Sequence, residues 1–258
     1  MQIDLLTLFP AMLDGPLAAS VPGRIREQGL ADIRIHDLRG WGLGRHRSVD
    51  DAPYGGGAGM VMRPEPVAAA LDDLRYPGST AILLDPAGEV FRQARAAELA
   101  RRDHLIFICP RYEGVDDRIR SLVDLELSIG DYVLTGGELP ALVVVDAVIR
   151  LLPGAIDDAS TTEESFTDGL LEYPQFTRPA TFRGQGVPDV LVSGHHEAVR
   201  RWRLEESLRR TRARRPDLLA GRPTSPEERR ILDAMDAEPG KHQGTGREPG
   251  AELDPGGA

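Results

Sequence analysis

Two groups of residues in this 258-residue chain have the types needed to move a proton or steady a charge. The first is Glu163-Glu164-Ser165-Phe166-Thr167-Asp168. A carboxylate there can act as a general base if the polar loop that carries it orders over a substrate. A solvated acidic loop would have the same composition. The second is Arg150, near the end of the apolar stretch Leu142–Leu152. It either complements the carbonyl end of a helix or offers a fixed cation to charge that develops on a bound molecule.

Three further segments could hold a ligand. Leu84-Asp85-Pro86-Ala87-Gly88, Pro110-Arg111-Tyr112-Glu113-Gly114 and the run Ser128–Pro140 each follow a buried apolar stretch. Glycines in such loops let a ligand approach backbone N–H and C=O groups closely. A fourth segment, Tyr54-Gly-Gly-Gly-Ala-Gly-Met-Val-Met62, looks like a phosphate loop but lacks the Gly-Lys-Ser/Thr ending. It also misses the dinucleotide turn, because Met62 stands where the last glycine of GxGxxG belongs. Taken alone, the segment reads better as a tight turn open only to glycine.

The elements that must position these residues alternate in type. Gln2–Phe9 reads as a buried strand, with a helix from Pro10 through Ser20. Ile33–Leu38 reads as a strand and Arg39–Gly59 as a long loop. Pro64–Leu74 is helical. Thr80–Asp85 is a strand stopped by Pro86-Ala87-Gly88, and Val90–Arg101 has helical spacing. His104–Cys109 and Leu125–Ile129 are strands. Glu138–Leu152 is an apolar helix with Pro140 in its first turn. This order predicts an α/β fold with a mainly parallel sheet, whose ligands sit at the carboxyl ends of the strands.

The expected division is a cofactor-binding domain over 1–158, a flexible linker over 159–172, a small helical domain over 173–237 and a disordered tail over 238–258. Within the helical part, His195–Arg215 is basic, and Ser225–Asp236 begins with a capping box of Ser225 and Glu228.

Composition narrows the partners. The net charge is −10, yet His195–Arg222 carries nine Arg against four acidic residues, leaving about −15 for the remainder. An acidic protein can bear a local basic footprint in this way. Lys241 is the only lysine, so a plain preference for Arg also explains the pattern. The single Cys109 excludes an internal disulfide and a Cys-based zinc site, and no HExxH pair occurs. No apolar run approaches the roughly 18–20 residues of a membrane span, and Met1–Leu6 has no basic lead. A soluble cytoplasmic protein without a membrane anchor, signal peptide or structural metal is expected.

Tyr54–Met62, Pro110–Gly114, Ser128–Pro140, Arg178-Pro179, Leu191–Gly194 and Arg200-Arg201-Trp202-Arg203 give the chain a specific likeness. From Ile3 to about Leu219 it resembles the bacterial tRNA (guanine-37-N1)-methyltransferases of the SPOUT class. The resemblance implies a deep trefoil knot that binds S-adenosylmethionine, and a homodimer with active sites at the subunit interface. It implies methylation of N1 of guanine 37 in tRNAs that carry guanine at position 36. Carried over, the cofactor contacts are Leu84, Pro86, Pro110, Gly114, Ile129, Gly130, Asp131, Tyr132, Val133, Leu134, Gly136 and Gly137. The tRNA anticodon arm would meet Tyr54, Gly55, Gly56, Gly57 and Gly59, and also Arg200, Arg201 and Arg203. Glu164 becomes the base, with Asp168 as the alternative, and Arg150 the cation at O6.

Two positions depart from the family pattern. Pro110 replaces the usual glycine, which leaves only a carbonyl and a ring face for contact. Glu164 replaces the usual aspartate and sits one methylene further from the backbone. Three rivals stay open: a SPOUT enzyme acting on another nucleotide or on ribosomal RNA, a non-catalytic RNA-binding relative, and a Rossmann-type methyltransferase, which the missing GxGxxG turn disfavours. If Arg200–Arg215 forms the RNA footprint, affinity for tRNA should fall steeply as salt rises. A flat salt response in a binding titration would remove that assignment.

Overall fold

In a computed structural model, which describes residues 1–157 and 164–237, the chain divides into two compact units, Met1–Thr162 and Glu163–Ala258. The first begins with strand β1 (Gln2–Thr7), followed by helices α1 (Ala11–Ala18) and α2 (Ser20–Glu27) and strand β2 (Asp32–Asp37). Two-residue strands β3 (Asp50–Asp51) and β4 (Val61–Met62) pair antiparallel, and helix α3 (Pro64–Leu74) follows. Then come β5 (Ser79–Val90), α4 (Gln93–Leu99), β6 (His104–Ile108), β7 (Leu125–Ser128) and α5 (Glu138–Ile149). The main sheet has the order β2-β1-β6-β5-β7, and every neighbouring pair in it is parallel. The expected α/β class with a mainly parallel sheet is what the structure has.

Apolar side chains cover both sheet faces, as a parallel sheet requires. One layer packs Leu5, Ile82 and Phe107 against Val144, Val145 and Val148 of α5. The other packs Leu6, Leu83 and Ile106 against Val67 and Leu71 of α3.

Three expectations shift. The helix predicted through Ser20 stops at Ala18: Ala19 is extended, Ser20 has φ 53°, and α2 then starts in a sequence whose Pro22 and Gly23 hide its helical nature. Strand β5 is not ended by Pro86-Ala87-Gly88. It continues to Val90 after an irregularity in which both Leu84 and Glu89 pair with Leu127. A Cβ on Gly88 would lie 2.5 Å from the Glu126–Leu127 backbone, so the missing side chain is what allows the strand to continue. The loop expected over Arg39–Gly59 contains a short 3-10 turn at Leu38–Trp41 and the strand β3.

The second unit contains a two-residue hairpin, β8 (Thr181–Phe182) and β9 (Gln185–Gly186), and helices α6 (Asp189–Val192), α7 (His196–Arg214), α8 (Pro216–Ala220) and α9 (Pro226–Ala237). Its core is small: Leu170, Leu208 and Ile231, with Leu204, Leu219, Leu232 and Met235 around them. The predicted capping box is present. Glu228 accepts from the Ser225 amide at 2.7 Å, and Ser225 Oγ accepts from the Glu228 amide at 3.2 Å. The expected tail over 238–258 and residues 159–163 of the expected linker lie outside the described residues.

A buried carboxylate ties the amino-terminal side of the main sheet together. Asp4 on β1 is fully buried and accepts from His36 Nε2 (2.7 Å), His104 Nε2 (2.6 Å) and Gln2 Nε2 (2.7 Å). His104 Nδ1 reaches Ser79 Oγ at 2.7 Å, so β2, β1, β6 and β5 share one network. Burial pushes the Asp4 carboxyl up, but the hydrogen bonds from His36, Gln2 and His104 outweigh it and hold the pKa at about 2. A depressed carboxylate stabilises the fold above its unfolded pKa and loses that contribution as pH falls through the folded value. Asp4 should therefore contribute about 2 kcal/mol at neutral pH, lost between about pH 4 and pH 2. Asp4→Asn should lower stability by that order at pH 7 and flatten the acid limb of a denaturation series. An unchanged acid limb would contradict the assignment.

Candidate active site

Strands β6, β5 and β7 are neighbours, so the loops leaving β6 and β7 meet the irregular stretch of β5 after Leu84. They enclose a cavity of about 250 Å³, close to the roughly 300 Å³ at which small-molecule sites begin. Leu84, Asp85 and Pro86 come from β5, Pro110–Gly114 from the exit of β6, and Leu127–Gly130 with Tyr132–Gly137 from β7 and its loop. Of the predicted cofactor contacts, eleven line this cavity; Asp131 does not, and its side chain is exposed. Sequence reading missed Asp85, Arg111, Tyr112, Glu113, Leu127, Ser128, Thr135 and Pro140, all part of the wall. Their signal was position, since all but Leu127 stand inside a loop segment already singled out.

The walls are drawn together at Gly137. Its amide donates to the Pro110 carbonyl at 2.8 Å. A Cβ there would fall 2.6 Å from Cys109 Cα and 2.9 Å from Pro110 N, so only glycine fits. The carbonyl that Pro110 retains is thus already an acceptor for the returning chain. Cys109 beneath is fully buried, and burial, with the Glu138 charge adding to it, pushes its thiol well up. It is a packing residue held protonated.

Arg111 fastens the same junction from the side. Its Nε lies 2.9 Å from Glu138 Oε2, its Nη1 donates to the Thr135 carbonyl at 3.2 Å, and its guanidinium lies 4.4 Å from the centre of the Phe9 ring. Glu138 is fully buried in the first turn of α5, where a negative charge suits the helix dipole. Its other oxygen accepts from Thr7 Oγ1 at 2.7 Å. The end of β1, the exit of β6 and the start of α5 are joined through one ion pair.

The glycine loop stands beside this cavity and forms none of its wall. Its stem is sewn to the β6 exit loop: the Glu113 amide donates to Met60 O (3.0 Å), Met62 to Gly114 O (2.9 Å) and Asp116 to Met62 O (2.9 Å). Gly55, Gly56, Gly57 and Gly59 all have positive φ, and Tyr54 is fully exposed at the tip. The same exit loop places Tyr112 at φ 62°; burial, with Asp50 adding, raises its hydroxyl pKa.

Arg150 is the C-cap residue of α5 in the first unit. Glu164 and Asp168 belong to the second. Glu164 is half-buried, and its carbonyl accepts from Thr167 at 3.2 Å. Asp168 is exposed and borders a shallow cavity with Leu170, Leu204, Arg222, Ser225 and Glu228. Of the predicted RNA-contacting arginines, Arg200 pairs with Glu197 (2.7 Å) and Glu227 (2.9 Å), and Arg201 with Glu205 (3.0 Å). Arg203 lies over the Tyr173 ring at 4.7 Å. Arg209, Arg212 and Arg215 also have carboxylate partners.

Residues 1–221 match the protein family described as tRNA (guanine-1)-methyltransferase TrmD. A tRNA (guanine-N(1)-)-methyltransferase of Chloroflexus aggregans is 58% identical over 224 residues, 85% of this chain and 88% of its own length. Proteins of the same name from Heliobacterium modesticaldum and Dictyoglomus turgidum are 53% and 50% identical. Those alignments cover 96% and 92% of this chain and 99% and 98% of the relatives.

The Gly137 contact predicts a measurable effect. Gly137→Ala should force the β7 loop away from Cys109 and Pro110, costing about 1–3 kcal/mol as overpacking does. It should also widen the cavity at its base. Thermal unfolding with a binding titration of the small-molecule ligand checks both; wild-type values in each would show that the contact does not constrain the site.

Proposed function

The chain belongs to the tRNA (guanine-1)-methyltransferase family, and from that premise we propose that it transfers a methyl group from S-adenosylmethionine to N1 of guanine 37 in tRNAs with guanine at position 36. The observation that carries the reading is the cavity formed by the irregular stretch of β5 and the loops after β6 and β7, the two loops coinciding with the segments Pro110–Gly114 and Ser128–Pro140 that carry the resemblance. Its lining suits the methyl donor: Leu84, Leu127, Ile129 and Leu134 offer apolar surface to a flat ring, while backbone groups of the same loops can read the ring edge. When bound, that donor supplies an activated methyl on a sulfonium.

Guanine N1 carries a proton at neutral pH and cannot attack until it loses it. In this proposal Glu164 accepts that proton, with Asp168 as the alternative base. Such catalysis contributes roughly a hundred- to ten-thousand-fold. Negative charge then builds on O6, and Arg150 supplies the cation that stabilises it more in the transition state than before. The cavity loops fix the donor in line with N1. The glycine loop, with Tyr54 at its tip, and Arg200, Arg201 and Arg203 serve as contacts to the anticodon arm. Phosphate contacts would position the RNA and base contacts select it.

The proposal includes a trefoil knot and a homodimer. The knot rests on the family membership alone. The dimer is supported by an exposed apolar surface at the cavity's margin. Leu139 and Val143, one turn apart on α5, are each about half exposed, and Val133 in the β7 loop is 89% exposed. The proposed setting is the cytoplasm, where tRNA is.

Incubation with labelled S-adenosylmethionine and unmodified tRNAs bearing GG, AG or GA at positions 36 and 37 tests the reading. Only the GG transcript should be methylated at N1. Glu164→Gln should lower kcat by about two orders of magnitude or more, with little change in donor affinity. Asp168→Asn should have the smaller effect. Methylation of all three RNAs, or full activity in Glu164→Gln, would overturn the proposal.

A further inference from the structure

The basic stretch that the charge count singles out is largely engaged in ion pairs within its own unit. The opposite holds at the hairpin formed by β8 and β9. There, Phe182 is 62% exposed, and the Arg183 guanidinium lies 5.2 Å from the centre of its ring. Among the described residues Arg183 has no carboxylate partner. The turn is Arg183-Gly184, with φ of 51° and 77°, the two positive values of a type I′ hairpin turn. Asn is the favoured residue at the first of these positions, and a long side chain there costs roughly 1–2 kcal/mol. Turn stability alone therefore does not account for Arg183. Nor does core packing account for Phe182, which lies outside the small core of the second unit.

An exposed aromatic ring beside an unpaired guanidinium has a known physical use. Nucleobases stack on aromatic faces without much regard to sequence, and arginine adds phosphate contact and cation–π attraction. The segment leading into the hairpin also brings Phe176, 46% exposed and tilted against Trp202 at 6.3 Å between ring centres, and the exposed Arg178 to the surface of the same unit. We propose that the Phe182–Arg183 hairpin tip is an RNA subsite, at which Phe182 stacks on an unpaired nucleobase and Arg183 holds an adjacent phosphate. The subsite rests on the proposed tRNA reaction and adds a contact outside the α7 arginines. A strand-shaped or apolar protein partner would not need the unpaired cation, and a second copy of this chain would leave the RNA-binding terms untouched.

The test uses the full chain and an unmodified tRNA transcript with guanine at positions 36 and 37. Phe182→Ala should weaken tRNA binding about ten-fold or more, the range set by one base–aromatic stack. Phe182→Trp should restore affinity, whereas Phe182→Leu, of comparable apolar character but without a π-face, should not. Arg183→Asn should hold or raise the melting temperature, because Asn accepts the turn conformation. It should nevertheless weaken tRNA binding and reduce the slope of log affinity against log salt by about 0.7–0.9. Affinity for S-adenosylmethionine and the sedimentation mass should be unchanged in all four variants. Wild-type tRNA affinity in Phe182→Ala, recovery by Phe182→Leu, or a loss that accompanies a change in mass would each overturn the subsite while leaving the reaction standing. If the unaltered chain neither binds nor methylates the tRNA, the reaction fails and the subsite with it.

Discussion

The backbone of Gly137 lies so close to Cys109 and Pro110 that no side chain can separate them. Much of the first unit depends on that approach. It brings the chain leaving β7 back against the chain leaving β6, and it fixes where α5 begins. Because α5 supplies Val144, Val145 and Val148 to one layer of the core, the position of Gly137 is tied to sheet packing as well as to the cavity. The ion pair of Arg111 with Glu138 adds to this. A buried pair is weak as a source of stability but costly to break, since removing one partner strands the other without solvent. The junction is therefore specified by sterics and guarded by charge. The cavity it closes is lined by loops held at this junction, so a shift of Gly137 is passed to its wall.

This arrangement shows how proline is accommodated at position 110. Proline has no N–H and fills space at the cavity edge, yet the group that closes the junction is the Pro110 carbonyl, which proline retains. The close contact requires glycine on the Gly137 side. The two positions are asymmetric, and only one of them has to lack a side chain.

Much of the fold was legible in the sequence because strands and helices of the first unit alternate with clear periodicity. The three cavity segments were legible for the same reason: each follows a buried apolar run. What escaped was decided by backbone proximity. Nothing in Pro86-Ala87-Gly88 shows that β5 resumes beyond it, since that depends on Gly88 meeting the Glu126–Leu127 peptide. Arg111 and Glu138 are 27 positions apart in the chain and pair only after folding. In α2, Pro22 and Gly23 argue locally against a helix, and the buried Ile25 prevails over them. The capping box at Ser225 and Glu228 was readable because both partners lie within four consecutive residues.

Charge is where sequence and structure diverge most usefully. Counting Arg against Glu along α7 gives an excess of positive charge, but the count does not see that Arg200 has two carboxylate neighbours while Arg183 has none among the described residues. Exposed ion pairs of this kind are worth only about 0–1 kcal/mol each, so a phosphate can displace a carboxylate at small cost. Arg201, with one partner, is easier to release than Arg200 with two. An α7 footprint and a hairpin subsite are thus compatible, with different energetics. The helix must exchange partners to bind RNA, whereas the hairpin carries its cation and its ring already exposed. Contacts of the second kind need no internal pair to break first, which suits them to the earliest encounter with an anionic partner.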